Sequence, residues 1–391
     1  MPIIDRNLAE PLRRRLRHYP VVTVTGPRQS GKTTLCRTVL PDRPYVSLEG
    51  LDVRTYARED PRGFLREYRD GAVIDEVQRA PDLTSYLQGE VDEDPTPGRF
   101  VLTGSQHFGL TDAVSQSLAG RVGVLYLLPP GFDELGRFGG PPPSLLETLW
   151  TGAYPRIHDR GIPADTWLRD YATTYVERDV RSLRNVTDLD AFSALLRLAA
   201  GRTATEVNLS ALAADAGIRH NTVRAWLSVL EASFLVFRTP AYRRNVRKRQ
   251  IKAPKLHFLD SGLVCHLLGI RSPEELRHHP LRGQIFESWV AAEAFKAITH
   301  CAEEPRLRHF RAADTEVDLV VDLGTRLILA EAKSGGTVAP RFFSGMRTLG
   351  ESLERAGLAV DRRLIYGGDL LHRRGGTDVV PWNRMLEKTW N

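Results

Sequence analysis

Residues 21–35 read VVTVTGPRQSGKTTL. An apolar run, Val21–Val24, precedes a glycine turn, and a helical pattern follows it. Gly26, Gly31, Lys32 and Thr33 stand at the spacing G-x-x-x-x-G-K-T, the phosphate-binding loop or Walker A pattern. Glycine lets backbone N–H groups turn toward a phosphate without side-chain obstruction. The helix that starts there points the positive end of its dipole at the same anion. This reading assigns Gly26, Pro27, Arg28, Gln29, Ser30, Gly31, Lys32, Thr33 and Thr34 to nucleotide binding. Lys32 is expected to reach the β- and γ-phosphates, and the Thr33 hydroxyl to ligate Mg2+. ATP and Mg2+ are the expected ligands.

Four more short strands are predicted after the loop: Tyr45–Leu48, Ala72–Ile74, Phe100–Leu102 and Val122–Leu127. Strands alternating with helical patterns imply an α/β fold with a parallel sheet. In AVIDEVQRAPDL, an apolar strand ends in Asp75 and Glu76, a Walker B segment. Asp75 is placed to hold Mg2+ through its water shell, and Glu76 to polarise the attacking water. FVLTGSQ at 100–106 is another strand ending in polar residues. Strand C-termini in such sheets face the ligand crevice, so Thr103, Ser105 and Gln106 are candidates for sensing the γ-phosphate, with Ser105 and Gln106 favoured. SLAGRV places Arg121 before the fifth strand, where it either stabilises transferring phosphoryl charge, in cis or from a neighbouring subunit, or forms a salt bridge.

Length and composition bound the rest. The chain has 391 residues, which suggests two or three domains. The divisions expected are 1–135, 145–275 and 280–391, with the Pro/Gly-rich stretch 129–143 as the best linker candidate. No stretch approaches the ~18 apolar residues of a membrane span. The first twenty residues lack the apolar core of a signal peptide. Leu8, Leu12 and Leu16 recur there at helical spacing. Cys36, Cys265 and Cys301 are far apart, with no metal-ligand spacing, which fits a reducing cytoplasm.

The net charge is +6, and its placement matters more than its size. No acidic residue falls between Glu231 and Asp260, a gap that holds Arg238, Arg243, Arg244, Arg247, Lys248, Arg249, Lys252 and Lys255. Such a block suits nucleic-acid phosphates; the alternatives are a solvated basic loop or one that contacts ATP or an acidic partner. Just before it, SALAADAGIRHNTVRAWLSVLE reads as helix–turn–helix, with Ser210 and Asn221 as candidate caps and Gly217 in the turn. Val223, Leu227 and Leu230 mark the inner face of the second helix, and Arg224 lies opposite. Two apolar strand-like runs, FLVFRTP and KLHFL, flank the block, so the whole describes a winged helix that binds DNA or packs on another protein.

The runs GPRQSGKTTL, IDEVQRAPDL, LTGSQ and SLAGR resemble those of prokaryotic AAA-family ATPases of the archaeal-ATPase-like branch. The likeness continues in WTGAYPRI, YVERDV and KLHFLDSGL, so it covers nearly the whole chain. It implies a P-loop ATPase core, a winged-helix module and a nuclease-like end.

Residues 280–391 give that end its content. GQIFESWVAAEAFKAI is an amphipathic helix containing Glu287; RLRHFRA, TEVDLVVDL and RLILAEAKSG are strand-like; a helix over 341–355 and a strand over 363–366 follow. The order α-β-β-β-α-β, with Asp318 and Glu331-Ala332-Lys333, resembles the PD-(D/E)xK restriction-endonuclease-like fold. Side chains alternate along a strand, so Glu331 and Lys333 share a face. Asp318 and Glu287 are expected to converge with Glu331 on a second Mg2+ or Mn2+, with Lys333 orienting the attacking water. Lysine is scarce in this arginine-rich chain, and two of the few fall at Lys32 and Lys333. The expected function is a cytoplasmic Mg2+-dependent ATPase acting on or with DNA, with a homo-oligomer if Arg121 serves a neighbour. The rival readings are a metal-dependent DNase licensed by ATP and a non-hydrolysing nucleotide switch that binds a protein partner.

Overall fold

The computed structural model describes residues 4–104, 117–174, 186, 188–243, 253–312 and 314–391. The chain forms two compact units. One comprises Met1–Pro130, Ala232–Phe234 and Thr299–Glu303; the other comprises Gly131–Glu231, Leu235–Ile298 and Glu304–Asn391.

The first unit is built on strands β1 (Val21–Thr25), β2 (Tyr45–Ser47), β3 (Ala72–Asp75), β4 (Phe100–Gly104) and β5 (Val122–Tyr126). They form one parallel sheet in the order β2-β3-β4-β1-β5. Alternation of side chains sends Val21, Ile74, Phe100 and Leu102 to one face, against Phe64, Leu65, Leu83 and Leu87. Val22, Val24, Val73 and Val101 fill the other, against Leu8, Leu12, Leu35 and Cys36. Burial on both faces explains why these strands read as short continuous apolar runs. The helix expected from Leu8, Leu12 and Leu16 spans Ala9–Leu16. Cys36 is a core residue, its thiol pushed up to about 12 by burial.

The register aligns the chemistry. Val24 lies beside Thr103, and Ile74 beside Leu102, so β1, β3 and β4 end together at one edge of the sheet. Arg121 is at the other edge, because Val122 pairs with Val21 at the start of β1.

In the second unit, the helices Leu189–Ala200, Leu209–Ala216 and His220–Ala232 accompany a small antiparallel sheet. Its strands are β6 (Thr205–Glu206), β7 (Val236–Thr239) and β8 (Lys255–Phe258), in the order β6-β8-β7. The turn between the last two helices uses Gly217 at φ 65, a left-handed conformation that suits glycine. The expected caps are corrected. Asn208, not Ser210, caps Leu209–Ala216 by accepting from the Ala211 N–H at 3.0 Å, and Asn221 lies inside its helix. The stretch 129–143 is also more than a linker: Phe132–Leu135 is helical, and Glu293 accepts from the Phe132 N–H at 2.7 Å.

The C-terminal part has the helix Arg282–His300, then β9 (Leu307–Ala312), β10 (Thr315–Asp322), β11 (Arg326–Lys333), the helix Ser344–Glu354 and β12 (Ala359–Tyr366). Two further strands, β13 (His372–Arg374) and β14 (Thr377–Pro381), complete a six-stranded mixed sheet ordered β13-β14-β12-β11-β10-β9. Met346, Leu349 and Leu353 of the covering helix close a core over Val320, Leu329 and Leu364. Among the described residues, no helix is long and apolar enough to cross a membrane.

Candidate nucleotide site and a second carboxylate centre

The loop after β1 is shaped by two glycines. A Cβ at Gly26 would run into the Leu127 carbonyl oxygen, and Gly31 holds φ 94 at the start of the helix Lys32–Val39. No side chain caps that helix, so its first amides are left for a ligand. Arg6, buried beneath the loop, donates to the Ser30 carbonyl at 2.7 Å and the Leu128 carbonyl at 2.8 Å. Lys32 donates to the Gly26 and Pro27 carbonyls at 2.9 and 2.7 Å, bending back over its own loop. Burial lowers its pKa to about 8, with Glu76 and Asp75 partly offsetting that shift.

Thr33 Oγ1 donates to Asp75 Oδ2 at 3.0 Å, joining the two motifs that sequence spacing kept 42 positions apart. Asp75 is the hub of the site. It also accepts from the Tyr45 hydroxyl at 2.5 Å, from the Thr103 hydroxyl and from the Glu76 N–H at 3.1 Å. Burial and the bond to Asp75 raise the Tyr45 phenol to about 12, so it stays a proton donor. Glu76 sits at φ 58, a left-handed conformation that a β-carbon makes costly. Its Oε2 accepts from Gln78 Nε2 at 2.5 Å. Gln29, also at positive φ, and Thr34 are exposed on the loop and the first helical turn.

Of the remaining first-unit candidates, Arg121 is not brought to this site. Ser105 and Gln106 lie outside the described residues; Thr103 is the β4 residue that reaches Asp75. Arg121 forks onto Asp92, with Nη2 to Oδ2 at 2.9 Å, at the sheet edge opposite the loop. Within this chain its guanidinium is paired with Asp92.

A second ionisable cluster lies in the other unit. Antiparallel pairing of Leu319 with Ala330 sets Asp318 next to Glu331. Lys333 Nζ is 2.7 Å from Glu331 Oε1 and 3.4 Å from Asp318 Oδ2, so Glu331 and Lys333 do share a face. Lys255, buried on β8, enters from the small sheet: its Nζ is 2.7 Å from Glu287 Oε1, 3.0 Å from Glu316 Oε1 and 3.8 Å from Asp318 Oδ1. Burial and the nearby Asp318 charge raise the pKa of Glu287 and of Glu331. Burial alone would lower Lys255, but Glu287, Asp318 and Glu316 outweigh it and hold the ammonium above its usual value.

Comparison with known proteins gives these sites a setting. Residues 18–136 match a family model described as an AAA domain; 143–274 and 282–385 match models described as domains of unknown function. Uncharacterized proteins of Mycobacterium tuberculosis and Mycobacterium bovis are 31% identical over 384 residues, 97% of this chain and 83% of theirs. The chain belongs to the family of these mycobacterial proteins. Its first unit carries a P-loop ATPase domain of the AAA type. A solved Walker-type ATPase of Pyrococcus abyssi is similar at 16% identity and TM-score 0.48, covering 68% of this chain and 95% of that one.

The AAA domain fits a nucleotide and its metal. Ser30 Oγ is fully buried with no hydrogen-bond partner, the helix start is uncapped, and Thr33 and Asp75 present hard oxygens to one point. The C-terminal cluster does not fit the metal expected there. Glu287, Asp318 and Glu331 do converge, but two ammonium groups fill the space between their oxygens. Among the described residues, no group of His, Cys, Asp or Glu is arranged to hold a metal ion. At the ends of the basic block, Arg238 forks onto Glu231 and Lys255 pairs with carboxylates, while 244–252 lie outside the described residues. Glu177, Arg178 and Asp179 lie outside them as well.

Sequence reading missed Arg6, Tyr45, Glu316 and the role of Lys255. Lys255 carried a signal of its own: it is one of the few lysines of the chain.

Proposed function

We propose that this chain is a Mg2+-dependent ATP hydrolase whose turnover acts on or with DNA through the second unit. The contact between Thr33 and Asp75 at 3.0 Å carries the catalytic half, since it joins two oxygens suited to one metal beside an uncapped helix start. Mg2+ held there supplies charge neutralisation to the triphosphate. Lys32 leaves the loop carbonyls for the phosphates, and the backbone amides of Gly31 to Thr33 bind them. Tyr45 and Thr103 fix the Asp75 carboxylate, and Glu76 orients the attacking water.

Arg121 fits a role across a subunit boundary. It stands at the far edge of the sheet, so a neighbour's nucleotide is the one it would meet in a homo-oligomer. Arg121→Ala is expected to slow turnover about 10²-fold or more with ATP affinity unchanged. Mixing it with Glu76→Gln subunits, which retain the arginine, should restore part of the rate. Unchanged turnover in Arg121→Ala reduces the residue to its salt bridge with Asp92.

The DNA half rests on the helix His220–Ala232. Val223, Trp226 and Leu227 are buried while Arg219, Asn221 and Arg224 are exposed, beside a three-stranded sheet ordered as in a winged helix. The order helix, β9, β10, β11, helix, β12 supports a nuclease-like fold for the C-terminal part. Phosphate release measured with duplex DNA at ~50 and ~200 mM salt tests the proposal. DNA should bind, and stimulate turnover, more strongly at the lower salt. Binding without salt dependence, or none, removes DNA. Tight ATP with no phosphate released favours the nucleotide switch.

A further inference from the structure

The C-terminal centre gathers Glu287, Glu316, Asp318 and Glu331 around Lys255 and Lys333, which leaves a surplus of two formal negative charges. The two ammonium groups divide the work. Lys333 belongs to the same sheet as Asp318 and Glu331 and sits between them. Lys255 comes from a different sheet, on β8, and takes the opposite side, where Glu287, Glu316 and Asp318 Oδ1 face one another. Asp318 is the shared wall, with Oδ2 toward Lys333 and the Ala332 N–H at 2.9 Å and Oδ1 toward Lys255.

An ion cluster whose Lys255 and Asp318 are buried is a poor way to add stability, because desolvation offsets most of the attraction. Four carboxylates gathered by three separate elements need a cation at their centre, and hard oxygen ligands of this kind ordinarily receive Mg2+, Mn2+ or Ca2+. Here the cation is covalently part of the chain. Lys255 is 3% exposed, and its ammonium touches oxygens of Glu287 and Glu316 and lies 3.8 Å from Asp318 Oδ1, the oxygens a divalent ion would use.

We propose that Lys255 is the resident cation of this centre, held where a divalent ion would otherwise bind, and that it closes the centre to metal. The proposal rests on reading the centre as nuclease-like, and it turns the missing fit for a metal into a statement about one side chain. The sheet supplies the carboxylates and one lysine; β8 supplies the plug. Removing the plug exposes a divalent-cation site built from Glu287, Glu316 and Asp318, with Glu331 adjacent.

The test uses the full-length chain without nucleotide and Mn2+ as the probe, with free Mn2+ read by electron paramagnetic resonance. The parent should show no uptake that depends on Asp318 up to ~1 mM Mn2+. Lys255→Met should gain one ion with affinity at least about tenfold tighter, and Lys255→Met with Asp318→Asn should lose it again. Removing the ammonium takes the cation from Glu287 and Glu316 while Asp318 keeps Lys333, so melting curves are taken with and without Mn2+, and Lys255→Gln is measured alongside. A variant that folds only when Mn2+ is added supports the proposal as directly as uptake does. A folded Lys255→Met that takes up none overturns it, as does a parent that binds Mn2+ equally well through Asp318. Duplex cleavage on the same samples separates the two readings. Uptake without cleavage retires the nuclease reading and still supports the lysine plug.

Discussion

Glu76→Gln is expected to keep ATP bound and to lower its turnover by about 10²- to 10³-fold, the usual cost of removing a positioned base. Glutamine preserves the volume and the bond to Gln78, and removes only the charge and basicity that act on water. The backbone argues that this carboxylate is held for a purpose. Glu76 adopts φ 58 directly after Asp75, a conformation costing about 1 kcal/mol for a residue with a β-carbon. A glycine would relieve that strain, yet the chain keeps a carboxylate there. Lys32→Ala should behave differently. It removes a buried ammonium aimed at the loop, so affinity for ATP falls along with turnover. Isothermal titration and phosphate release separate the two: Glu76→Gln loses rate alone, and Lys32→Ala loses both. Parental turnover in Glu76→Gln would end the water-orienting assignment.

The parts of this site that sequence reveals are those set by short-range spacing. Gly26, Gly31, Lys32 and Thr33 lie within one strand–loop–helix unit, and Asp75 and Glu76 end one strand, so local geometry alone places each group. Tyr45 and Thr103 reach Asp75 through strand register, with β2 and β4 flanking β3, and no local pattern encodes a sheet order. Arg6 is further still: it precedes Ser30 by 24 positions and supports the loop through a buried side chain. Arg121 shows the converse. Its motif was legible, but its partner Asp92 was not, because that contact joins residues 29 positions apart. In the second unit, the pair Glu331 and Lys333 followed from strand alternation, whereas Lys255 and Glu316 joined them only when β8 met the larger sheet's carboxylates. The strands β13 and β14 escaped for a simpler reason. They are short, and β13 is wholly exposed, so neither shows the apolar alternation that marks a strand.

Asp260 is expected to matter as much to folding as Glu76 does to turnover. Its position after the apolar run KLHFL reads as a structural strand-end acid, and the structure gives the reason. The carboxylate is 3% exposed and accepts two buried amides, Leu263 N–H at 2.8 Å and Ala153 N–H at 2.7 Å. The first caps the helix Ser261–Leu267; the second fixes the chain at Gly152, where a Cβ would collide with the carboxylate. Burial raises the pKa of Asp260, so the charge is held at a cost, and the two amides with Lys296 offset it. Asp260→Ala would strand both donors, each worth about 1–3 kcal/mol when left unpaired, and would remove the cap. The sum expected is a loss of about 3 kcal/mol, with Asp260→Asn milder because one acceptor survives. All six tryptophans lie in the second unit, so urea unfolding followed by tryptophan fluorescence reports that unit alone. A shift corresponding to less than about 0.5 kcal/mol in Asp260→Ala would mean that the surrounding backbone finds other partners without strain.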